Sequence, residues 1–299
     1  AIIIIIIMGI FIYKLYNDKI SMKNSIEELN DKISKIDGAN IQEETTNKNE
    51  KQNTNKLETL NTDSDLVKKL YNYVAKFSYY DELIAYQSEK VTEKNMNNSL
   101  KLLTVFNNLG KNDATRVEYK YESEEIPKRE HIIYAKDVVE NKAKEIFGKD
   151  VKIVHQDASP YDSQAIKYQN DEYDSYEYEG GGSVPWEDSV NLLISAEKDN
   201  TGTIYIYDKY VHLVEVDNIK ENGINVAGSY DIYTSSDKKE KLASKVDFEE
   251  KNIYPDADNN EIYIQNIEKY LGKELTTYKH TYKQNSDGTY YWYSTEPMK

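Results

Sequence analysis

His131, His155, His212 and His280 are the four imidazoles of the chain, and imidazole is the side chain most used to move protons near neutral pH or to hold zinc. No two of them stand three or four residues apart, and none opens an HExxH run. Zinc needs three or four convergent ligands, so these scattered histidines, two of them inside strand-like runs, read as ordinary strand residues. The chain has no cysteine, which removes thiol nucleophiles, cysteine-held zinc and iron–sulfur ligation together. No cofactor and no metal are expected.

Serine chemistry has equally little to stand on. Gly181-Gly182-Ser183-Val184-Pro185 lacks the closing glycine of a nucleophile elbow, and the Ser-x-x-Lys spacings at Ser235/Lys238 and Ser236/Lys239 fall in a charged turn without companion motifs. No phosphate-cradling glycine pattern occurs. With 53 acidic residues, carboxylate pairs arise by chance, yet Glu187 and Asp188 beside Trp186 are the pair that could serve a glycosidase-like hydrolysis, which needs two carboxyls at a set separation. Asp256-Ala257-Asp258-Asn259-Asn260-Glu261 begins like a calcium loop but lacks its sixth-position glycine and has Ile267 at the twelfth, so it reads as a helix-capping turn.

The segment from Tyr173 to Trp186 holds the residues best suited to binding. Tyr173, Tyr176, Tyr178 and Trp186 surround Gly180–Gly182, and rings on a glycine-rich loop can stack on sugars or cover a peptide. The ligand-binding residues expected are Tyr173, Tyr176, Tyr178, Gly181, Trp186, Glu187 and Asp188. The plainer reading of the same segment is a glycine turn between strands with part-buried tyrosines.

The elements that must position these residues follow from periodicity. Leu66, Leu70, Val74 or Tyr73, Phe77, Tyr80 and Ile84 predict a helix begun by Asp63 or Ser64. Leu100, Leu103, Phe106 and Leu109 predict a second, closed by Gly110. Val139, Ala143, Ile146 and Phe147 predict a third, between Asp137 and Gly148. Thr115–Tyr121 and a brief stretch at Ile132–Tyr134 read as strands. After Gly148 the period changes to two: Val151–His155, Leu192–Lys198, Thr203–Val216, Ile224–Tyr233 and Leu242–Val246 read as strands, and a fourth helix at Ile262, Ile267 and Leu271 ends at Gly272. Thr276–Lys283 and Thr289–Ser294 flank Asn285-Ser286-Asp287-Gly288 as a hairpin. The fold class is α+β, with helices packed on a curved antiparallel sheet.

Charge excludes one class of partner. The net charge is -15 and the pI about 4.9, whereas nucleic-acid binding rests on Lys and Arg neutralising phosphates. No nucleic acid is expected. Arg116 and Arg129 are the whole arginine content, so bidentate base or phosphate recognition has almost no carrier. The 28 tyrosines supply amphipathic bulk in its place.

Residues 1–13, AIIIIIIMGIFIY, carry no charge, and Tyr13 with Lys14, Tyr16 and Lys19 forms an interfacial belt of rings and snorkelling lysines at the end of the run. The run is shorter than the ~20 residues that cross a bilayer core, but it starts at Ala and in mid-run, so the expectation is a transmembrane helix over 1–19 cut short at its start. Met22, Ile26, Leu29, Ile33 and Ile36 step at coiled-coil spacing over two heptads, predicting a helical stalk over 20–37 and leaving self-association through 22–36 open. Residues 38–62 are nearly devoid of apolar side chains and read as a disordered linker. Residues 63–299 then form one soluble domain. Positive-inside counting does not orient the anchor; a single anchor ahead of a large acidic domain is read as a cell-surface layout, with the domain extracytoplasmic.

TYKHTYKQNSDGTYYWYSTEP, with AKEIFGKDV upstream, resembles segments of uncharacterised membrane-anchored proteins of low-G+C Gram-positive bacteria, over the chain from about residue 130 onward. That resemblance implies an extracytoplasmic domain and assigns no catalytic residue. The expected function is a non-catalytic, membrane-anchored, extracytoplasmic binding or structural domain for a wall polymer, peptide or envelope protein. Two alternatives stand beside it: an exported hydrolase using the carboxylate pair near the glycine loop, and a subunit of an envelope complex joined through the stalk.

Overall fold

A computed structural model describes residues 57–75, 86–121, 128–161, 164–177, 187–221, 224–248, 250, 251, 253 and 260–298. The membrane helix and stalk expected over 1–37, and most of the linker, lie outside them. Among the described residues no helix is long and apolar enough to cross a membrane.

Strand β1 (Glu58–Leu60) precedes helix α1 (Asp65–Ala75), β2 (Val91–Thr92) and α2 (Asn98–Asn107). Next come β3 (Arg116–Lys120), β4 (Arg129–Ala135) and α3 (Lys136–Phe147), then three short strands, β5 (Ala158–Tyr161), β6 (Gln164–Gln169) and β7 (Glu172–Glu177). The long strands β8 (Glu187–Lys198), β9 (Ile204–Glu221) and β10 (Ile224–Tyr233) lead to β11 (Lys241–Asp247), α4 (Asn260–Leu271), β12 (Thr277–Gln284) and β13 (Tyr290–Pro297). The class is α+β, and every strand pairing among the described residues is antiparallel.

The described strands form two sheets. The larger runs β1-β8-β9-β12-β13-β2, with β10 added to the far half of β9 and β11 to β10; the smaller runs β3-β4-β7-β6-β5. β9 is long enough to pair with β12 over Ile204–Lys209 and with β10 beyond His212. The strands at the two ends of the main path, β1 and β2, are three and two residues long, and short edges leave little backbone for stray pairing.

Each side of the large sheet carries its own core. One side of β9, β12 and β13 (Ile204, Ile206, Tyr210, Tyr278, Tyr282 and Trp292) packs with α1, α2, α3 and the inner side of the small sheet, through residues such as Leu70, Leu102, Ile146 and Tyr173. The other side (Val190, Val211, Leu213, Ile232 and Val246) packs under α4 through Tyr263, Ile264 and Ile267. At about 25 cal/mol per Å² of apolar surface, full burial of Trp292, of Tyr86, Tyr173, Tyr210, Tyr278 and Tyr282, and of Leu70 and Leu102 is a large part of what holds the layers together.

Turns end the strands where their chemistry demands. Gly202 (φ 87°) and Gly288 (φ 86°) take left-handed positions in the β8–β9 and β12–β13 turns, a conformation in which a Cβ is strained. In the first turn Asp199 accepts the backbone N–H groups of Thr201 and Thr203, both at 2.9 Å.

Several elements depart from the sequence expectation. Residues 58–60 lie within the stretch read as linker, yet they pair with Ala196–Lys198. In α1 Leu70, Tyr73 and Val74 are buried as expected, but Val67 takes the place of Leu66, which is 42% exposed; Phe77, Tyr80 and Ile84 lie outside the described residues. Gly110 does not close α2: the cap is Asn108, whose side-chain amide donates to the carbonyls of Thr104 and Tyr73. Asp137 is in the first turn of α3 and Ala135 occupies the cap. Val151–His155 is irregular rather than a strand. On α4, Ile262 is 45% exposed while Tyr263 and Ile264 are buried.

Candidate functional site

All four histidines pair with a carboxylate. His131 Nδ1 meets Asp174 at 2.8 Å, His155 Nε2 meets Glu140 at 3.1 Å, His212 Nε2 meets Glu187 at 3.0 Å, and His280 Nε2 meets Asp208 at 3.0 Å. In three of them the second ring nitrogen holds a hydroxyl: His155 with Tyr173 at 2.8 Å, His212 with Ser189 at 2.9 Å, His280 with Thr295 at 2.7 Å. Hydroxyl, imidazole and carboxylate thus recur in the same order, which is the order of a nucleophile, its base and the base's orienting acid. His131 is the exception, since its buried Nε2 has no partner.

The pleat of the large sheet puts two of these sets on one surface. Glu187, Ser189 and Asn191 alternate along β8, Asp208, Tyr210 and His212 along β9, and register sets Ser189 opposite His212 and Asn191 opposite Tyr210. Alternate residues share a face, so these side chains line the surface packed against α1, with His280 of β12 and Thr295 of β13 beyond.

The inner set is closed. Asp208 and His280 are both 0% exposed. Asp208 accepts from Tyr71 Oη at 2.7 Å and from Tyr86 Oη, and Asn191 Nδ2 reaches both phenols. Trp292 Nε1 donates to Thr295 Oγ1 at 2.9 Å, so the Thr295 hydroxyl hydrogen is directed at His280 Nδ1 and the imidazole hydrogen at Asp208, a tautomer assigned from the network. Burial first, then the Asp208 charge, holds the Tyr71 and Tyr86 phenols well above their ordinary range. Buried polar groups of this kind are tolerated because each finds its partner.

The outer set reaches the surface. Ser189 Oγ bonds Tyr210 Oη at 3.0 Å as well as His212, and the Glu187 side chain is 34% exposed, where Lys238 pairs with it. The hydrogen bond from His212, with that from Lys238, holds the Glu187 carboxyl down at about 2. Tyr210 stacks on Tyr86 with ring centroids 4.2 Å apart, and the two sets meet there.

Of the residues expected to bind a ligand, the four that are described, Tyr173, Tyr176, Glu187 and Asp188, do not share one surface. Tyr173 is fully buried against Phe106 and His155, while Tyr176 stacks on His131, its ring 4.5 Å away; three apart on β7, they face opposite sides of the small sheet. Glu187 and Asp188 are adjacent on β8 and also point oppositely: Asp188 shares the register of Leu213 on the α4 side, and burial raises its carboxyl above the ordinary value. Two carboxyls divided by the sheet cannot flank one bond. Tyr178, Gly181 and Trp186 lie outside the described residues, as does Asp258 of the capping turn. Among the described residues no group of three or more His, Asp and Glu is placed to hold a metal ion. Ser189, Asp208, Tyr86 and Thr295 were missed in the sequence; the signal present was Asp208-x-Tyr210-x-His212, a polar stripe at strand period.

The described residues therefore define an α+β domain of two antiparallel sheets whose polar constellations are largely internal. Comparison of the chain with protein-family models, curated proteins and solved structures finds no match.

Proposed function

We propose that the chain is a non-catalytic, membrane-anchored, extracytoplasmic domain that binds a wall polymer or an envelope protein. The observation that carries this reading is the threefold repetition of hydroxyl, imidazole and carboxylate. The Thr295–His280–Asp208 set is sealed from solvent, and the Tyr173–His155–Glu140 set is rooted in the core by Tyr173 beside Phe106 while Glu140 reaches the surface, so in this fold the arrangement serves to tie elements together. Ser189 belongs to the same pattern: it is the third residue of β8, paired with His212 of β9, its hydroxyl engaged by His212 and Tyr210, whereas a nucleophile elbow holds its serine on a sharp strand-to-helix turn. The hydrolase alternative also loses its carboxylate pair, which the pleat divides.

The anchor rests on residues 1–19 partitioning into the bilayer, followed by a stalk and a domain of helices on a curved antiparallel sheet. The resemblance drawn from the sequence to membrane-anchored proteins of low-G+C Gram-positive bacteria is part of this same proposal, and the acidic net charge speaks against nucleic acid. The test is a pair of reporters fused after Lys299. Alkaline phosphatase activity, with the chain sedimenting with membranes and released by detergent, is expected. An inactive phosphatase with a bright cytoplasmic reporter overturns the placement.

A further inference from the structure

The core under α4 ends at β9. Its large-sheet members lie on β8 to β11, and none comes from β12 or β13. On that same side, beyond the helix, β9 presents Tyr205 and Tyr207, which register sets opposite Thr281 and Lys279 of β12. Lys283 and Tyr293 continue the patch, with the Lys283 ammonium 3.4 Å from the Tyr293 ring centroid. Tyr293 is 40% exposed.

Two small residues sit among these side chains. Thr281 and Ser294 face each other across β12 and β13 and are 8% and 0% exposed, although no helix core covers them among the described residues. Among the described residues their neighbours on this face are Tyr205, Lys279 and Lys283 with Tyr293, and Thr92 of β2 beside Ser294. The Ser294 hydroxyl among them is buried without a hydrogen-bond partner, an unfavourable state for a polar group.

We propose that this open tyrosine face of β9, β12 and β13 binds a chain of uncharged sugar units. Tyrosine offers rigid, amphipathic contact area at small entropic cost, suited to the C–H faces of sugar rings. The charges on the patch nearly cancel: Lys90 and Lys279 share Glu296, and Tyr207 hydrogen-bonds Glu197. Nothing there gathers a polyanion, and the net charge of -15 repels one. Residues two apart on a strand are separated by about 6.7 Å and strands by about 4.8 Å, so the face accommodates two or three sugar units. This inference rests on the reading of the domain as a binding module and names its ligand class.

The test uses the full chain in detergent, titrated calorimetrically with a six-unit chain of β-1,4-linked N-acetylglucosamine. Saturable binding is expected, weakened about three- to tenfold by Tyr293→Ala and again by Lys283→Ala, with unfolding midpoints unchanged. Binding that ignores both substitutions overturns this site and leaves the binding-module reading in place. Cleavage of the sugar chain overturns that reading as well. Absence of binding, including the case in which the chain self-associates through Tyr293 instead, overturns the proposal.

Discussion

Asp208 on β9 and His280 on β12 are diagonal neighbours on facing strands, 3.0 Å apart through His280 Nε2, and neither exposes any surface. Two polar groups so deep in a sheet persist because Tyr71, Tyr86 and Thr295 complete their hydrogen bonds. Removing one member strands the other together with its hydroxyl partners, whereas removing both leaves only the hydroxyls of Tyr71, Tyr86 and Thr295 to be resatisfied.

Asp208→Ala is therefore expected to lower stability by about 3–5 kcal/mol, the cost of leaving buried partners uncompensated. Asp208→Leu combined with His280→Leu should cost less than the sum of the two single changes. Urea unfolding of the four proteins checks it; strict additivity would mean that the two residues do not act as a unit.

Acid should loosen the fold from the outer set. The folded Glu187 carboxyl lies at about 2, below its ordinary value of 4.5, so its stabilising contribution is complete above about 4.5 and is lost as pH falls toward 2. Glu145, held at about 2 by hydrogen bonds from Lys69 and Lys142 that outweigh its burial, adds to the same window. Urea midpoints measured from pH 6 to 2.5 should fall steeply below pH 4.5, and less steeply in Glu187→Gln. Equal slopes would remove Glu187 from the account.

Asp188 has the opposite sign. Burial raises its carboxyl above the ordinary 3.8, so the ionised form is disfavoured in the fold, and stability is regained rather than lost as it protonates. Asp188→Asn is expected to raise the urea midpoint at pH 7, with the gain shrinking toward pH 3. A lower midpoint at pH 7 would show that the ionised carboxylate is stabilising.

Much of the framework was legible because it is local. Val139, Ala143, Ile146 and Phe147 of α3 are all buried as their spacing implied, β10 spans Ile224–Tyr233, and the turn before Thr289 forms where Asn285–Gly288 placed it. What was not legible depends on partners distant in sequence. Glu58–Leu60 is a strand only because Ala196–Lys198 offers an edge, and β5, β6 and β7 are too short and polar for periodicity to mark them. The histidine sets were hidden for the same reason: Asp208 and His280 lie 72 residues apart, and only the register of β9 on β12 makes them neighbours.

Gly148 shows the cost of ending a helix under a ring. Its φ is 95° and an added Cβ would lie 2.9 Å from the Tyr291 ring, so Gly148→Ala should cost about 1–3 kcal/mol from backbone strain. Adding Tyr291→Ala relieves the clash but not the strain, and most of the loss should remain. Full recovery in the double variant would assign the whole effect to the ring.

The central claim, that the polar sets bind the sheet together rather than perform chemistry, meets its most direct test at Ser189. The full chain is incubated with a fluorophosphonate, which phosphonylates an activated serine with release of fluoride, and its intact mass is then measured. The account predicts an unchanged mass. A single adduct that disappears in Ser189→Ala would contradict it.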